Sequence, residues 1–192
     1  QLLDSIRLEQ QRIRKIEIAM RDFKESTIET HYNVTIKSVP GCKILSLRKT
    51  VADYYCEGRL WEQLYAFVRE EQIKLSPGTN NLAIYHNGGT TEDGVDIEVG
   101  VMVEREGADK GGFCYRETEP VEDMACIMVY GPYENIGLSY HAFACWMEEH
   151  RQYEIAGPSR QICHIGSWDE SDSQKFLTEV QTPVRRILTL TP

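Results

Sequence analysis

The segment FLTEVQTPV, residues 176–184, places one carboxylate, Glu179, in the middle of a stretch that is typical of a β-strand. Strand alternation puts Glu179 and Gln181 on one face and the apolar Val180 and Val184 on the other. A glutamate in a strand is usually solvated. A glutamate held away from water needs a positive partner, which either the protein or a ligand can supply.

Aromatic residues could surround such a carboxylate, because the chain contains 10 Tyr, 5 Phe and 3 Trp. Five of them fall at predicted strand ends or early in predicted helices: Tyr54, Tyr55, Trp61, Tyr85 and Tyr140. Aromatic faces and one carboxylate together suit a lipophilic cation, since the ring quadrupole and the countercharge both attract it. The same rings also suit an ordinary hydrophobic core. The residue types alone leave both interpretations open.

Nucleophilic catalysis is a second possible chemistry, with Cys163 as nucleophile and His164 as its base. Adjacent strand residues point to opposite faces of a sheet, so this pair could not easily act together. The six cysteines form no CxxC pair and the five histidines form no ligand-spaced cluster. We therefore expect neither a metal site nor a cofactor.

Composition points to a soluble globular domain, with 192 residues, 41% hydrophobic and 27% charged. The formal net charge of −9 repels phosphate backbones and attracts cations. No apolar run is long enough to span a bilayer, and no signal peptide is visible. All six cysteines have apolar or strand-like neighbours, so we expect buried free thiols and a cytoplasmic location.

Residues 2–25 predict a long helix, because they lack Gly and Pro and are rich in strong helix formers. A seam with alternating spacings of four and three runs along it: Leu2, Ile6, Glu9, Ile13, Ile16, Met20 and Phe23. This heptad pattern favours a homodimeric coiled coil, with residues 1–28 as a dimerisation segment. Packing of the helix on its own domain is the alternative.

The remaining chain predicts the order strand, helix, strand, strand twice, within residues 34–103 and 124–186. The predicted elements of the first half are strand 42–50, helix 58–72, strand 81–87 and strand 94–103, and those of the second half are strand 124–131, helix 136–150, strand 160–166 and strand 176–184. Short matches support a duplication, since Ile84-Tyr85-His86 aligns with Ile162-Cys163-His164, and Glu98-Val99 with Glu179-Val180.

These elements predict an α+β fold in which duplicated βαββ units form one antiparallel sheet with two helices. Residues 104–123 are charged and rich in glycine, and we expect them to connect the halves. A central groove should form where the halves meet, and ligands favour junctions of this kind.

The chain resembles the GyrI-like effector-binding domain over residues 34–186. The matching segments are LRKTVADYYCEGRLWEQL, LAIYHN and DIEVGVMV in the first half, and VYGPYENIGLSYHAFACWMEEH, GPSRQICHIG and FLTEVQTPV in the second. The Gly-Pro-Tyr turn and the TEVQxPV element are the most specific of these. The preceding helix, which includes MRDFKE, resembles the dimerisation helix of MerR-family transcription regulators.

This resemblance implies a multidrug-sensing regulator, whose DNA-binding domain would precede Gln1. It also implies that Glu179 anchors cationic aromatic ligands, since it matches the glutamate that has this role in the family. Tyr54, Tyr55, Tyr85 and Tyr140 would then line the pocket with Trp61, Cys163 and Gln181. Without ligand, we expect desolvation to raise the pKa of Glu179.

Two alternatives follow from the same resemblance. The first is a hydrolase of small xenobiotics that uses Glu179 as general base. Family members often carry a tyrosine where this chain has Cys163, and this departure weakens the catalytic interpretation. The second is a gyrase-inhibitor-like protein that sequesters a partner, a task for which the heptad helix is unnecessary.

Overall fold

The computed structural model describes residues 32–78, 81–86 and 94–187. The predicted dimerisation helix lies outside the described residues. The described strands are β1 (Thr35–Val39), β2 (Lys43–Val51), β3 (Asn81–Tyr85), β4 (Val95–Met102), β5 (Phe113–Glu117), β6 (Val121–Tyr130), β7 (Tyr153–Ile155), β8 (Ser159–Ile165) and β9 (Leu177–Arg186). The two α-helices are α1 (Glu57–Glu70) and α2 (Ile136–Glu149).

All eight predicted elements are present, and their bounds differ from the predicted ones by at most three residues. Three strands were not predicted, namely β1, β5 and β7. β5 lies inside residues 104–123, which we expected to be a connection only. Its five residues form a strand because they pair with β2 along the edge of the sheet, and such tertiary pairing leaves little signal in a short sequence.

Hydrogen bonding joins the strands into one antiparallel sheet in the order β1-β6-β9-β8-β3-β4-β2-β5, with β7 added alongside β9. The order strand, helix, strand, strand occurs twice, as β2-α1-β3-β4 and as β6-α2-β8-β9. Strands β3 and β8 pair where these halves meet, with Leu82 opposite Ile162. The architecture is therefore α+β, and its origin by duplication stays a prediction.

Each helix packs on its own half of one face of the sheet. Leu60 and Leu64 of α1 are buried in a cluster with Val99 of β4, and Phe143 of α2 is buried in a second cluster with Ile127 and Val180. Burying side chains of this size contributes about 1.5–3 kcal/mol each. Because the helices lie over separate halves, the sheet near β3 and β8 is left for a cavity.

A short 3-10 turn leads into each helix, at Tyr54–Cys56 before α1 and at Tyr133–Asn135 before α2. The carboxylate of Asp53 caps the first turn by accepting a hydrogen bond from the backbone N–H of Cys56, 3.2 Å away. Glu57 then lies in the first turn of α1, where its charge interacts favourably with the helix dipole. Both helix starts thus carry polar and aromatic side chains at defined positions.

The six cysteines are free, as predicted, but not all are buried. Cys126 is buried, whereas Cys114 and Cys145 are exposed, and the expectation of burial was wrong for these two. Cys114 lies on the edge strand β5, and Cys145 lies on the exposed side of α2. Within the described residues, no helix has both the length and the apolar composition needed to cross a bilayer.

Candidate functional site

A cavity of about 890 Å³ lies over the junction of β3 and β8, next to the N-terminal ends of both helices. Its walls come from α1, from the turn before α2 and from the loop after β8, and its floor comes from the three central strands. The lining residues are Tyr54, Tyr55, Glu57, Gly58, Trp61, Glu62, Tyr65, Arg69, Asn81, Ala83, Tyr133, Glu134, Ile136, Gln161, Cys163, Ser167, Trp168 and Thr178. This volume fits a drug-sized molecule.

Aromatic rings dominate the walls of the cavity. The Trp168 ring lies 5.8 Å from that of Trp61 and 5.7 Å from that of Tyr65, measured between centroids. Trp61 and Tyr65 are one turn apart on α1, with centroids separated by 6.3 Å. Rings at these separations contact one another while their remaining faces stay available to a bound molecule.

Glu57 provides a carboxylate in the cavity wall. Its Oε1 accepts a hydrogen bond from Trp61 Nε1 at 2.9 Å, and its Oε2 accepts one from Tyr85 Oη at 2.8 Å. These donors hold the carboxylate in place without neutralising its charge. Within the described residues Glu57 forms no ion pair, although it is half-buried. A positively charged ligand could therefore approach this carboxylate without displacing a protein cation.

The floor of the cavity is polar. Asn81 accepts a hydrogen bond from the Tyr65 hydroxyl, and Gln161 Nε2 donates to Tyr140 Oη at 3.3 Å. Thr178 is buried, and its hydroxyl has no hydrogen-bond partner within the ranges that the structure describes. A ligand that reaches the floor thus meets one hydroxyl that is able to donate or accept.

Cys163 lies on the floor of the cavity, but not beside a base. Its Sγ is 3.8 Å from Tyr133 Oη, and burial raises the pKa of the thiol to about 11. His164 points to the other face of the sheet, where its Nε2 is 2.8 Å from Glu179 Oε2. The thiol is therefore protonated at neutral pH, and the structure separates the two members of the possible catalytic pair.

Glu179 lies on the opposite face of the sheet from the cavity. Its register partner on β8 is Ile162, and Ile162 is buried in the cluster of that other face. Only 1% of Glu179 is exposed. Its carboxylate interacts with the Lys37 ammonium, with His164, and with Gln181 Nε2 at 2.9 Å.

The protonation of Glu179 differs from our expectation. Burial by itself would raise its pKa, but the hydrogen bond with His164 and the charge of Lys37 lower the pKa well below its usual range. The expected upward shift was wrong, because the sequence does not show which cation reaches this strand. Glu179 thus stays ionised in the folded protein without any ligand.

Glu98 of β4 has matching surroundings in the other half of the sheet. Its carboxylate accepts hydrogen bonds from Arg116 at 2.7 and 2.6 Å, and lies 2.8 Å from His86 Nε2. Burial opposes ionisation here too, but the bond with Arg116 lowers the pKa of Glu98 to about 2. Each of the two aligned glutamates is therefore buried and neutralised by a basic residue and a histidine.

The eight predicted site residues thus separate into three groups. The cavity brings together Tyr54, Tyr55, Trp61 and Cys163. Tyr85 and Tyr140 support cavity residues by hydrogen bonds to Glu57 and Gln161. Glu179 and Gln181 lie on the other face, and a direct role for them in ligand binding stays a prediction that this geometry does not support.

Sequence reasoning missed Glu57, the half-buried one among the three glutamates that line the cavity. Glu57, Trp61 and Tyr65 recur at four-residue intervals, which places them on one side of a helix. That spacing could have identified them. Tyr133 belongs to the Gly-Pro-Tyr turn singled out in the sequence, but its place in the cavity, like that of Trp168 in the loop after β8, depends on the tertiary fold. No group of three or more His, Cys, Asp or Glu residues in the described ranges is arranged to hold a metal ion.

Comparison with known proteins identifies a family over most of the chain. Residues 32–185 match the family described as "GyrI-like small molecule binding domain". A search of curated proteins gave no match.

Solved structures show the same fold. The EcmrR C-terminal domain aligns with a TM-score of 0.69 and 22% identity, over 81% of this chain and 99% of that one. EcmrR in a complex with DNA aligns with a TM-score of 0.75 and 21% identity, over 97% of this chain and 69% of that one. SAV2435 bound to tetraphenylphosphonium aligns with a TM-score of 0.57 and 10% identity, over 80% and 94%. A hydrolase from Listeria innocua encoded by lin2189 aligns with a TM-score of 0.55 and 10% identity, over 80% of this chain and 92% of that one.

Proposed function

The chain belongs to the GyrI-like family of small molecule binding domains, and we propose that it is the ligand-sensing part of a MerR-type, multidrug-responsive transcriptional regulator. Its ligands are lipophilic aromatic cations, which bind in the cavity between the two helices. Trp61, Tyr65 and Trp168 contact the rings of the ligand, and Glu57 supplies the negative charge.

The observation that carries this proposal is the position of Glu57, a half-buried carboxylate in a ring-lined cavity. Attraction between a desolvated cation and an aromatic face contributes about 0.5–2 kcal/mol. A nearby carboxylate adds a Coulombic contribution that grows as the ligand excludes water. Neutral molecules of the same shape receive only the apolar part, so the cavity should select for positive charge.

Glu179 is less suited than Glu57 to anchor a ligand, for a physical reason. A ligand cation would have to displace the Lys37 ammonium and the His164 ring, which already contact Glu179. Removing the countercharge of Lys37 and breaking the buried hydrogen bond between His164 and Glu179 costs on the order of a few kcal/mol. Glu57 requires no such displacement, because its donors, Trp61 and Tyr85, are neutral groups.

The regulatory part of the proposal is supported by the likeness to EcmrR, which has been seen in a complex with DNA. The net charge of −9 disfavours DNA contact by these residues themselves. We therefore assign DNA contact to a separate domain and dimerisation to residues 2–25. A ligand acts by binding one arrangement of the dimer more tightly than the other, which shifts their populations.

Binding of tetraphenylphosphonium tests the proposal, and triphenylphosphine oxide serves as a neutral analogue that carries three of the four phenyl groups on phosphorus. Trp61 and Trp168 line the cavity, so their fluorescence should report binding. We expect Glu57→Gln to weaken tetraphenylphosphonium binding by about fivefold to thirtyfold, since a partly exposed countercharge contributes about 1–2 kcal/mol. Binding of the phosphine oxide should change by less than about twofold.

Glu149→Gln is the matched control, because it removes the same charge from an exposed position on α2. It should leave both affinities unchanged. Equal losses for the cation and the neutral analogue in Glu57→Gln would contradict a charge-selective site.

Hydrolysis is the second candidate, since one structural relative is described as a hydrolase. Two observations weigh against it here: the raised pKa of Cys163 and the position of Glu179 on the other face. Incubation of the protein with a hydrolysable cationic ester, followed by chromatography, separates the two functions. Recovery of the intact ester supports a sensor, whereas turnover that is lost in Glu179→Gln supports the enzyme.

A further inference from the structure

Arg160 of β8 lies on the sheet face opposite the cavity and is almost completely buried, with 7% of its surface exposed. Among the residues that the structure describes, none forms a hydrogen bond with its Nε and Nη2 atoms. These two atoms form one edge of the planar guanidinium, and this edge binds an oxyanion through two parallel N–H···O bonds. The Nε–H and Nη2–H donors of Arg160 are therefore the two groups that together recognise a carboxylate or a phosphate.

The glutamates on this face do not neutralise Arg160. Glu98 bonds to Arg116 and His86, and Glu179 bonds to Lys37 and His164. No carboxylate in the described part of the chain forms an ion pair with Arg160. A guanidinium cannot lose its proton in a protein at neutral pH. Arg160 is thus a buried guanidinium without a direct ion-pair partner among the described residues; burial lowers its pKa, and the charge of Glu179 only partly opposes this.

A second unsatisfied group lies beside the first. Gln181 is the register partner of Arg160 on β9, so their Cβ atoms are about 5 Å apart on the same face. Gln181 Nε2 donates to Glu179, but no donor from the described part of the chain reaches its buried Oε1. Two donors and one acceptor are therefore left open on neighbouring strands.

The sheet itself does not require a charge at this position. The alignment of Ile84-Tyr85-His86 with Ile162-Cys163-His164 makes Leu82 the counterpart of Arg160 in the first half. Leu82 is buried in an apolar cluster with Ile84 and Ile162 on this same face. An apolar residue is therefore sufficient for packing at this position of the sheet. Because buried polar groups are nearly always paired, we expect the arginine to bind something.

We propose that Arg160 and Gln181 form a second binding site, on the sheet face opposite the cavity, which takes a small protonated oxyanion of the hydrogen-phosphate type. Two oxygens of the anion accept from Nε and Nη2 of Arg160. Its hydroxyl donates to Gln181 Oε1. The anion site does not use the cation cavity, so its test is independent of the test of the proposed function.

Thermal unfolding in phosphate, compared with sodium chloride at the same pH and ionic strength, tests this site. Because an anion that binds only the folded state stabilises it, phosphate at about 100 times its Kd should raise the Tm by about 5–10 °C. Phosphate also stabilises proteins without binding to a site. The phosphate-induced rise in Tm is therefore compared between the unchanged protein and its variants, to separate site binding from the general salt effect. Arg59→Gln, an exposed change on α1, should keep the full phosphate effect.

Arg160→Leu should lose the phosphate-specific rise in Tm and retain only the general salt effect. In chloride it should be at least as stable as the unchanged protein, because it removes an unpaired buried charge. If this variant does not fold, Arg160→Lys replaces it, since a lysine keeps the charge but cannot form the two parallel bonds.

The NMR signal of the Arg160 Nε–H group gives a direct measurement. We assign it by its loss in Arg160→Lys, and expect it to shift with phosphate until one equivalent has bound. Phosphate effects on Tm that are equal in the unchanged protein and in the Arg160 variants would overturn the proposal. So would an Nε–H signal that does not respond, which would mean that water alone occupies the site.

Discussion

Replacing Glu179 by glutamine tests whether this buried carboxylate supports the fold or contacts the ligand. The change removes the countercharge of Lys37 and weakens the hydrogen bond with His164, while keeping the volume of the side chain almost constant. Breaking a buried ion pair by removing one partner costs about 3–5 kcal/mol. The Lys37 side chain is 41% exposed and can regain hydration, so we expect a loss of about 2–3 kcal/mol.

For a chain of this size, that loss corresponds to a fall in Tm of about 4–12 °C. Differential scanning calorimetry on the unchanged protein and on Glu179→Gln measures it. Tetraphenylphosphonium binding is then titrated well below the lowered Tm, where the variant is folded. We expect its Kd to change by less than about twofold, because Glu179 and the cavity lie on opposite faces of the sheet.

Glu98→Gln is the matched comparison, since Glu98 has an equivalent buried network with Arg116 and His86. It should also lower the Tm and leave the Kd unchanged. The reasoning is refuted if Glu179→Gln keeps its Tm and loses its affinity for the cation. Glu179 would then be the ligand anchor that the family resemblance implies.

Acid should destabilise the protein, because the pKa values of Glu98 and Glu179 are both lowered in the folded state from the ordinary value of 4.5. A lowered folded-state pKa gives stability that is fully present above the unfolded-state pKa and is lost as the pH falls, for Glu98 down to a pKa of about 2. A Tm that stays constant between about pH 5 and about pH 2.5 would contradict this. Trp168→Ala should weaken tetraphenylphosphonium binding by about threefold to tenfold, which is the contribution of about one aromatic contact. It should hardly change the Tm, because Trp168 is 49% exposed. Calorimetric titration measures the affinity, and scanning calorimetry measures the Tm. Iodoacetamide should modify Cys163 more slowly than the exposed Cys145, because burial raises the pKa of Cys163 to about 11. Bound tetraphenylphosphonium should slow the modification of Cys163 further. Equal modification rates of the two cysteines, measured by mass spectrometry, would contradict the buried position of Cys163.

The order of the main elements could be predicted from local patterns. The apolar spacing of Leu60 and Leu64 is sufficient to indicate a helix, and β-branched runs such as Val95–Met102 indicate strands. The edge strands β1, β5 and β7 were missed, because they are short and form through pairing with distant partners.

The predicted site residues overlap with the cavity lining at Tyr54, Tyr55, Trp61 and Cys163, and their role in binding stays a prediction. Glu57, the half-buried glutamate of the cavity, was not predicted, because the strand pattern of residues 176–184 and the family resemblance both pointed to Glu179. Helical spacing with Trp61 would have pointed to Glu57, whereas nothing in the local sequence indicates that Trp168 joins the same wall.

Alternation along residues 176–184 by itself determined that Glu179 faces away from Val180, and this is confirmed. Which of the two faces carries the cavity was decided only by the tertiary structure, since it depends on where α1 and α2 pack. The partner of Glu179 was decided in the same way, because Lys37 arrives from β1 at the edge of the sheet. Periodicity is a property of neighbouring residues, but the neutralisation of a charge depends on groups that only folding brings together.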